Sequence, residues 1–145
     1  MTGIPDGFRV FGRVSPFTEM LGPLYSKGEG RERVIGLLAE RKHCNTRGTV
    51  HGGVLATLAD ISLGYTMAFM TDPPGNFITA SLTIDYAGSA SAGDWLESHV
   101  DVQKMGSRLA FANCYLVAAG ERIARASAMF AAPGERKAKG EGRLT

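Results

Sequence analysis

Cysteine is scarce in this chain. Its two cysteines, Cys44 and Cys114, form no CxxC pair and no framework of spaced pairs. Disulfides are therefore excluded as the scaffold, and a reducing cytoplasm is the expected compartment. A strong charge of either sign is also missing. Sixteen basic residues face fourteen acidic ones, a net charge of +2, which argues against nucleic acid as a partner. Much of the excess sits in residues 133–145, where Arg136, Lys137, Lys139 and Arg143 outnumber Glu135 and Glu141. That Gly- and Lys-rich tail is expected to be disordered, and the body, residues 1–132, to be a neutral single domain. No membrane span is expected: the longest apolar run, Val54 to Met70, falls short of the ~20 residues needed and carries Asp60. The opening MTGIPDGFRVFG lacks the apolar stretch of a signal peptide. There is no G-x-S-x-G nucleophile elbow, and His43, Cys44 and His51 match no zinc spacing, so neither a serine triad nor a metal is expected.

What is present is periodicity. Pro16 to Leu21 reads as a short helix, with Ser15 as its cap and Pro16 at its first position. Pro23–Lys27 and Arg33–Ala39 read as strands joined by the turn signal Gly28-Glu29-Gly30. Gly52 to Met70 is long enough for a helix of about five turns. Its apolar residues fall on nearly every face, which predicts burial all round. Asp72-Pro73-Pro74-Gly75 stops it. Phe77–Tyr86, Asp94–Lys104, Leu109–Ala118 and Arg122–Ala131 alternate apolar and polar residues with short Gly-containing turns between the later ones. That pattern predicts consecutive antiparallel hairpins. The expected architecture is α+β, an antiparallel sheet wrapped around one long central helix, with open edges that invite a partner subunit.

The stretch NTRGTVHGGVLATLAD, residues 45–60, carries the chemistry. A carboxylate is costly in an apolar helix unless it is paired or used. Asp60 has three structural explanations: a narrow polar seam with Thr57 and Gly64, an ion pair with a base such as Arg47, or a helix end. The last fails because the pattern continues to Met70. The functional explanation is work as a base or nucleophile in a cleft. Gly52-Gly53 likewise serves either close packing of a helix start or close approach of a substrate to the free N–H groups there. Such donors suit a carbonyl oxygen that gains negative charge. Eight residues separate Gly52 from Asp60, about 12 Å along one helix. One carbonyl cannot touch both. If both act on one carbon, they belong to different chains and the site lies at a dimer interface.

The string Asn45-x-x-Gly48-x-x-His51-Gly52-Gly53 followed by Ala56-Thr57-Leu58-Ala59-Asp60 resembles the signature of hotdog-fold acyl-CoA thioesterases of the phenylacetyl-CoA thioesterase-like branch. Residues 79–130, TASLTIDYAGSASAGDWLESHVDVQKMGSRLAFANCYLVAAGERIARASAMF, resemble the remaining strands of that fold, so the likeness spans roughly Pro23 to Ala131. It implies a homodimer, often paired into homotetramers, that hydrolyses acyl-CoA with coenzyme A as part of the substrate and no other cofactor. Carried onto this chain, Asp60 is the nucleophile or the general base. The Gly52 N–H, helped by Asn45, polarises the carbonyl from the opposite subunit. Thr79 helps to hold the water. His51 and Gly53 shape the substrate-binding turn. Lys104, Gly106, Ser107 and Arg108 form a turn that contacts the nucleotide. The chain departs from the family at Ser89-Ala90-Ser91-Ala92-Gly93-Asp94, where a proline is frequent.

Met20, Leu21, Leu55, Tyr65, Phe69 and Phe77 are candidates for the acyl pocket or the core, and the acyl group itself is not legible. A non-catalytic acyl-CoA-binding module and a thioesterase acting on acyl-carrier protein are the alternatives. A hotdog dehydratase fits less well, because no second acidic residue on the helix partners His51.

Overall fold

The computed structural model describes residues 3–132; the basic tail lies outside them. Seven strands form one antiparallel sheet in the order β1-β2-β3-β5-β6-β7-β4. They are β1 (Arg9–Val10), β2 (Leu24–Lys27), β3 (Val34–Leu38), β4 (Ile78–Tyr86), β5 (Trp95–Met105), β6 (Leu109–Ala118) and β7 (Glu121–Ala131). Helix α1 (Pro16–Leu21) precedes β2, and the long helix α2 (Gly52–Ala68) lies between β3 and β4. Helix α1 starts as expected. The Ser15 side chain accepts from Thr18 N, and Thr18 returns a bond to the Ser15 backbone, satisfying donors that a helix start leaves open.

The expected strand pairing needs correction. The strands after α2 are not all consecutive hairpins. Only β5, β6 and β7 form a meander, whereas β4 crosses the molecule and pairs with β7 as the outer strand. β5 instead continues the sheet from β3. The reason lies in the connection. Residues 87–94 between β4 and β5 are too many for a tight turn, and they carry the chain back past the helix instead of folding it over. The two-residue β1 was also unanticipated; it adds to β2 through Arg9↔Ser26 and Val10↔Tyr25.

The core explains why α2 docks where it does. Its buried side chains, Leu55, Leu58, Ala59, Ser62, Leu63, Thr66 and Met67, recur at three- and four-residue spacing and form one face. The inner face of β6 and β7 opposes them with mostly small residues: Ala112 pairs with Ala128 and Cys114 with Ala126, and the larger Leu116 pairs with Ala124, all buried. Alanines here let the helix settle close to the sheet. Leu58, Leu63 and Met67 have no exposed surface, and such burial stabilises by roughly 1.5–3 kcal/mol per side chain.

The opposite face of α2 is only half covered: Thr57, Asp60, Ile61, Gly64 and Ala68 are all intermediate. The helix is therefore not buried all round, and that second stripe is the one that carries Asp60.

Candidate active site

Asp60 sits half-buried on the less covered stripe of α2. The Thr79 hydroxyl donates to its Oδ1 at 2.7 Å. Arg47 is not its partner: the ion pairs among the described residues are His99–Glu97 and Arg125–Asp85. Thr79 reaches Asp60 from an irregular part of β4. The register with β7 shifts between Thr79 and Ser81, a bulge of the kind that re-aims side chains beside functional sites. One carboxylate oxygen is thus held by a hydroxyl and the other is left to accept from something else.

Asp60 and Thr79 line one cleft of about 540 Å³ with Ile61, Tyr65, Phe69 and Phe77. Of the six side chains considered for an acyl pocket, Tyr65, Phe69 and Phe77 belong to this cleft. Leu21 and Leu55 are core, and Met20 is 74% exposed beside a separate groove at the helix start. Amphipathic position alone did not separate core from cleft, because both lie against apolar neighbours.

The helix start is a different construction. His51 caps α2: its Nδ1 accepts the Gly53 N–H at 2.8 Å, which leaves Nε2 to carry the proton when the ring is neutral. The N–H groups of Val54 and Leu55 both reach the His51 carbonyl. The Gly52 N–H has no acceptor among the described residues. The Gly52 carbonyl accepts from the Tyr86 hydroxyl at 2.7 Å, and a Cβ on Gly52 would stand 3.1 Å from the Tyr86 ring. A Cβ on Gly53 would stand 3.0 Å from the His51 imidazole. Within one chain, then, the paired glycines make room for Tyr86 and His51, the close-packing explanation, while one backbone donor stays open.

Asn45 organises the loop before the helix. Its Oδ1 accepts from Arg47 N at 2.9 Å and Thr49 N at 3.2 Å, and its Nδ2 donates to Thr49 Oγ1 at 2.9 Å. Gly48 follows at φ +83° with a bond from its N–H to the Asn45 carbonyl, a left-handed position that favours glycine. His43 locks this loop to α1. It is buried, its Nδ1 accepts from Glu40 N, and its Nε2 lies 2.6 Å from the Leu21 carbonyl. Both ring nitrogens are committed, so His43 is structural. No group of three metal-ligating side chains occurs among the described residues.

One chain does not bring all the expected site residues together. Asp60 and Thr79 meet; Asn45, His51, Gly52 and Gly53 cluster at the helix start and do not line the Asp60 cleft. Lys104, Ser107 and Arg108 are exposed on the turn from β5 to β6 and line neither region. Gly106 closes that turn with a 2.9 Å bond from its N–H to Leu109 O, and a Cβ there would come within 2.5 Å of the same oxygen. Tyr86 was missed as a partner of the helix start. Its only signal was a tyrosine where an aliphatic residue would have served the strand pattern equally well. Burial pushes the Cys114 thiol up to about 12, so it is an inert core residue.

Comparison with known proteins gives the family. Residues 47–124, more than half of the chain, match the Thioesterase superfamily. The chain is 46% identical over 117 residues to the Pseudomonas aeruginosa protein named Putative esterase PA0474, covering 80% of this chain and 87% of that one. This chain belongs to the thioesterase superfamily. It is a thioester hydrolase by that membership, with the hotdog architecture expected from its sequence.

Mouse acyl-coenzyme A thioesterase 13 is 31% identical over 107 residues, covering 72% of this chain and 75% of the relative. Among solved structures, zebrafish thioesterase superfamily member 2 aligns with a TM-score of 0.75 and 27% identity over 83% of this chain and 88% of its own. A mutant of the phenylacetic acid degradation protein PaaI from Thermus thermophilus aligns at 0.69 and 26%, over 81% and 98%.

Proposed function

We propose that this chain is an acyl-CoA thioesterase whose active site is completed by two subunits. The observation that carries the reading is the division of labour along α2. The held carboxylate of Asp60 and the open N–H of Gly52 lie on the same helix, too far apart to act on one carbonyl. In a dimer whose α2 helices run antiparallel, the Gly52 N–H of one subunit and the Asp60 of the other can face a single thioester.

The chemistry then needs few parts. Thr79 holds Oδ1 of Asp60, and Oδ2 takes a proton from water. The water oxygen bonds to the carbonyl carbon while the Gly52 N–H, with Asn45 beside it, stabilises the negative charge on the carbonyl oxygen. The C–S bond breaks, and the proton held by Asp60 passes to the departing CoA thiolate. His51 and Gly53 fix the helix start that presents the donor. The exposed turn of Lys104, Gly106, Ser107 and Arg108 supplies cations for the CoA phosphates.

Dimerisation has a physical basis in β4. It is a nine-residue outer strand with an open edge, and Ile78 and Tyr86 on it are 65% and 50% exposed. Such an edge is a template for another strand unless it is covered. Pairing of dimers into a tetramer and a cytoplasmic site of action complete the proposal, the latter supported by two cysteines that form no disulfide.

The test is free thiol release from short, long and aromatic acyl-CoAs, with Asp60→Asn alongside wild type. Turnover that disappears in the variant while acyl-CoA still binds is the expected result. Binding without turnover on every substrate would replace the proposal with a non-catalytic acyl-CoA-binding module. Turnover confined to acyl-carrier-protein thioesters would reassign the substrate. Solvent ¹⁸O found in Asp60 after a single turnover would make it the nucleophile.

A further inference from the structure

We propose that the cleft beside Asp60 selects acyl groups whose far end carries a carboxylate, and that Arg13 is the residue that reads it. This deepens the thioesterase reading and rests on it. Arg13 and Asp60 are the charged side chains lining the cleft; its other walls are mainly apolar and aromatic, with Asn76 among the polar exceptions. Asp60 is the reacting end. Arg13 is held at the other by Phe69, with its Cζ 5.1 Å from the ring centroid.

A second guanidinium, that of Arg33, lies 4.5 Å from the same ring. The Arg33 Nε is buried and has no hydrogen-bond partner among the described residues. Neither arginine has a carboxylate partner among the described residues, whose ion pairs are elsewhere. Two like charges share one aromatic ring without a counter-ion at the end of a cleft built to take an acyl chain. Arg13 is exposed, so an apolar acyl terminus would gain nothing from it, whereas a carboxylate would accept a charge-assisted, bidentate bond from Arg13.

The spacing sets a length. Phe69 is nine residues beyond Asp60, about 13 Å along the helical path. An extended chain advances ~1.2 Å per bond, so about eleven bonds cover that rise. Arg13 lines the cleft itself, so a shorter chain suffices. The class is a medium-chain ω-carboxyacyl thioester.

The experiment compares ω-carboxyacyl-CoAs of six to ten carbons with the straight-chain acyl-CoAs of equal length. Both kcat/KM and the Kd of the non-hydrolysable thioether analogues are measured, for wild type, Arg13→Met and Arg13→Lys. Wild type is expected to favour the ω-carboxyl member by at least tenfold in Kd and in kcat/KM. Arg13→Met should abolish or invert that ratio, and Arg13→Lys should restore part of it. Equal affinity for the two analogues in wild type would overturn the proposal. So would a fall in both by the same factor in Arg13→Met. If no thioester is hydrolysed but the thioether preference follows Arg13, the thioesterase reading fails and this one stands.

Discussion

The start of α2 and its middle are built on different terms. At the middle, Asp60 is already engaged within its own chain: it lies in a cleft and Thr79 holds one of its oxygens. The start is the more open of the two. His51 and Gly53 are exposed, the Gly52 N–H is open, and Asn45 and Tyr86 brace the loop and the Gly52 carbonyl without covering the donor. In the proposed roles Asp60 is the base and Gly52 the oxyanion donor. A base must be positioned relative to its own neighbours, so a single chain can finish it. An oxyanion donor must only be presented, so it can be left for a second chain's substrate. The contrast explains why one helix can carry both groups without the two ever meeting.

The largest effect that would break this contrast belongs to Asp60. Asp60→Asn keeps the shape and a possible hydrogen bond with Thr79 but removes the base, and kcat should fall by about 10²–10⁴-fold. A normal dimer by light scattering would show that the loss is chemical. Mixing subunits probes the contrast directly. Asp60→Asn and Gly52→Ala proteins, each impaired alone, should recover activity on subunit exchange, because each mixed dimer contains one intact site. At equal amounts and free exchange this amounts to roughly a quarter of the wild-type rate for a symmetric dimer. Exchange shown by mass spectrometry with no recovered turnover would mean that both groups serve a site within one chain, or different sites altogether.

How much of this was legible depended on whether a feature was local. Helix α1 was readable because Ser15, Pro16 and Thr18 form a self-contained cap. The extents of α2 and the four later strands followed from periods that neighbouring residues impose on one another. Strand order was not local: nothing in Phe77–Tyr86 states that it pairs with β7 instead of β5, since both partners accept the same alternating face. The burial of α2 was overread for the same reason. Its sequence is apolar on nearly all sides, yet the sheet covers only one, and Asp60 with Gly64 was the hint of a second face. Within the site, arithmetic alone put Gly52 and Asp60 too far apart for one carbonyl. Two chains are necessary if both act on one carbon, as the proposal has it. Arg13 and Tyr86 were not visible, because each acts through a tertiary contact with a residue more than thirty positions away.

An intermediate effect should come from Thr79. Thr79→Val preserves the strand-favouring shape and removes the 2.7 Å bond to Asp60. The carboxylate then loses its fixed orientation, and a misaligned base costs rate more than affinity. A fall in kcat of about tenfold with little change in acyl-CoA binding is expected, since general-base catalysis as a whole contributes ~10²–10⁴-fold and the base itself survives. Loss of binding with unchanged kcat would move Thr79 from the base to the substrate.

The smallest effect lies at the helix start. Tyr86→Phe removes the donor to the Gly52 carbonyl but leaves the ring against which Gly52 packs. Tyr86 is half exposed, so water can replace the lost bond, and the stability cost should stay near or below about 1 kcal/mol. The Gly52 N–H remains open in the variant, so the rate should change no more than a few-fold. Thermal unfolding and kcat together decide the point. A large loss of rate at unchanged Tm would show that Tyr86 sets the direction of the Gly52 peptide. The outward-facing end of α2 would then be held from within its own chain as firmly as Thr79 holds Asp60.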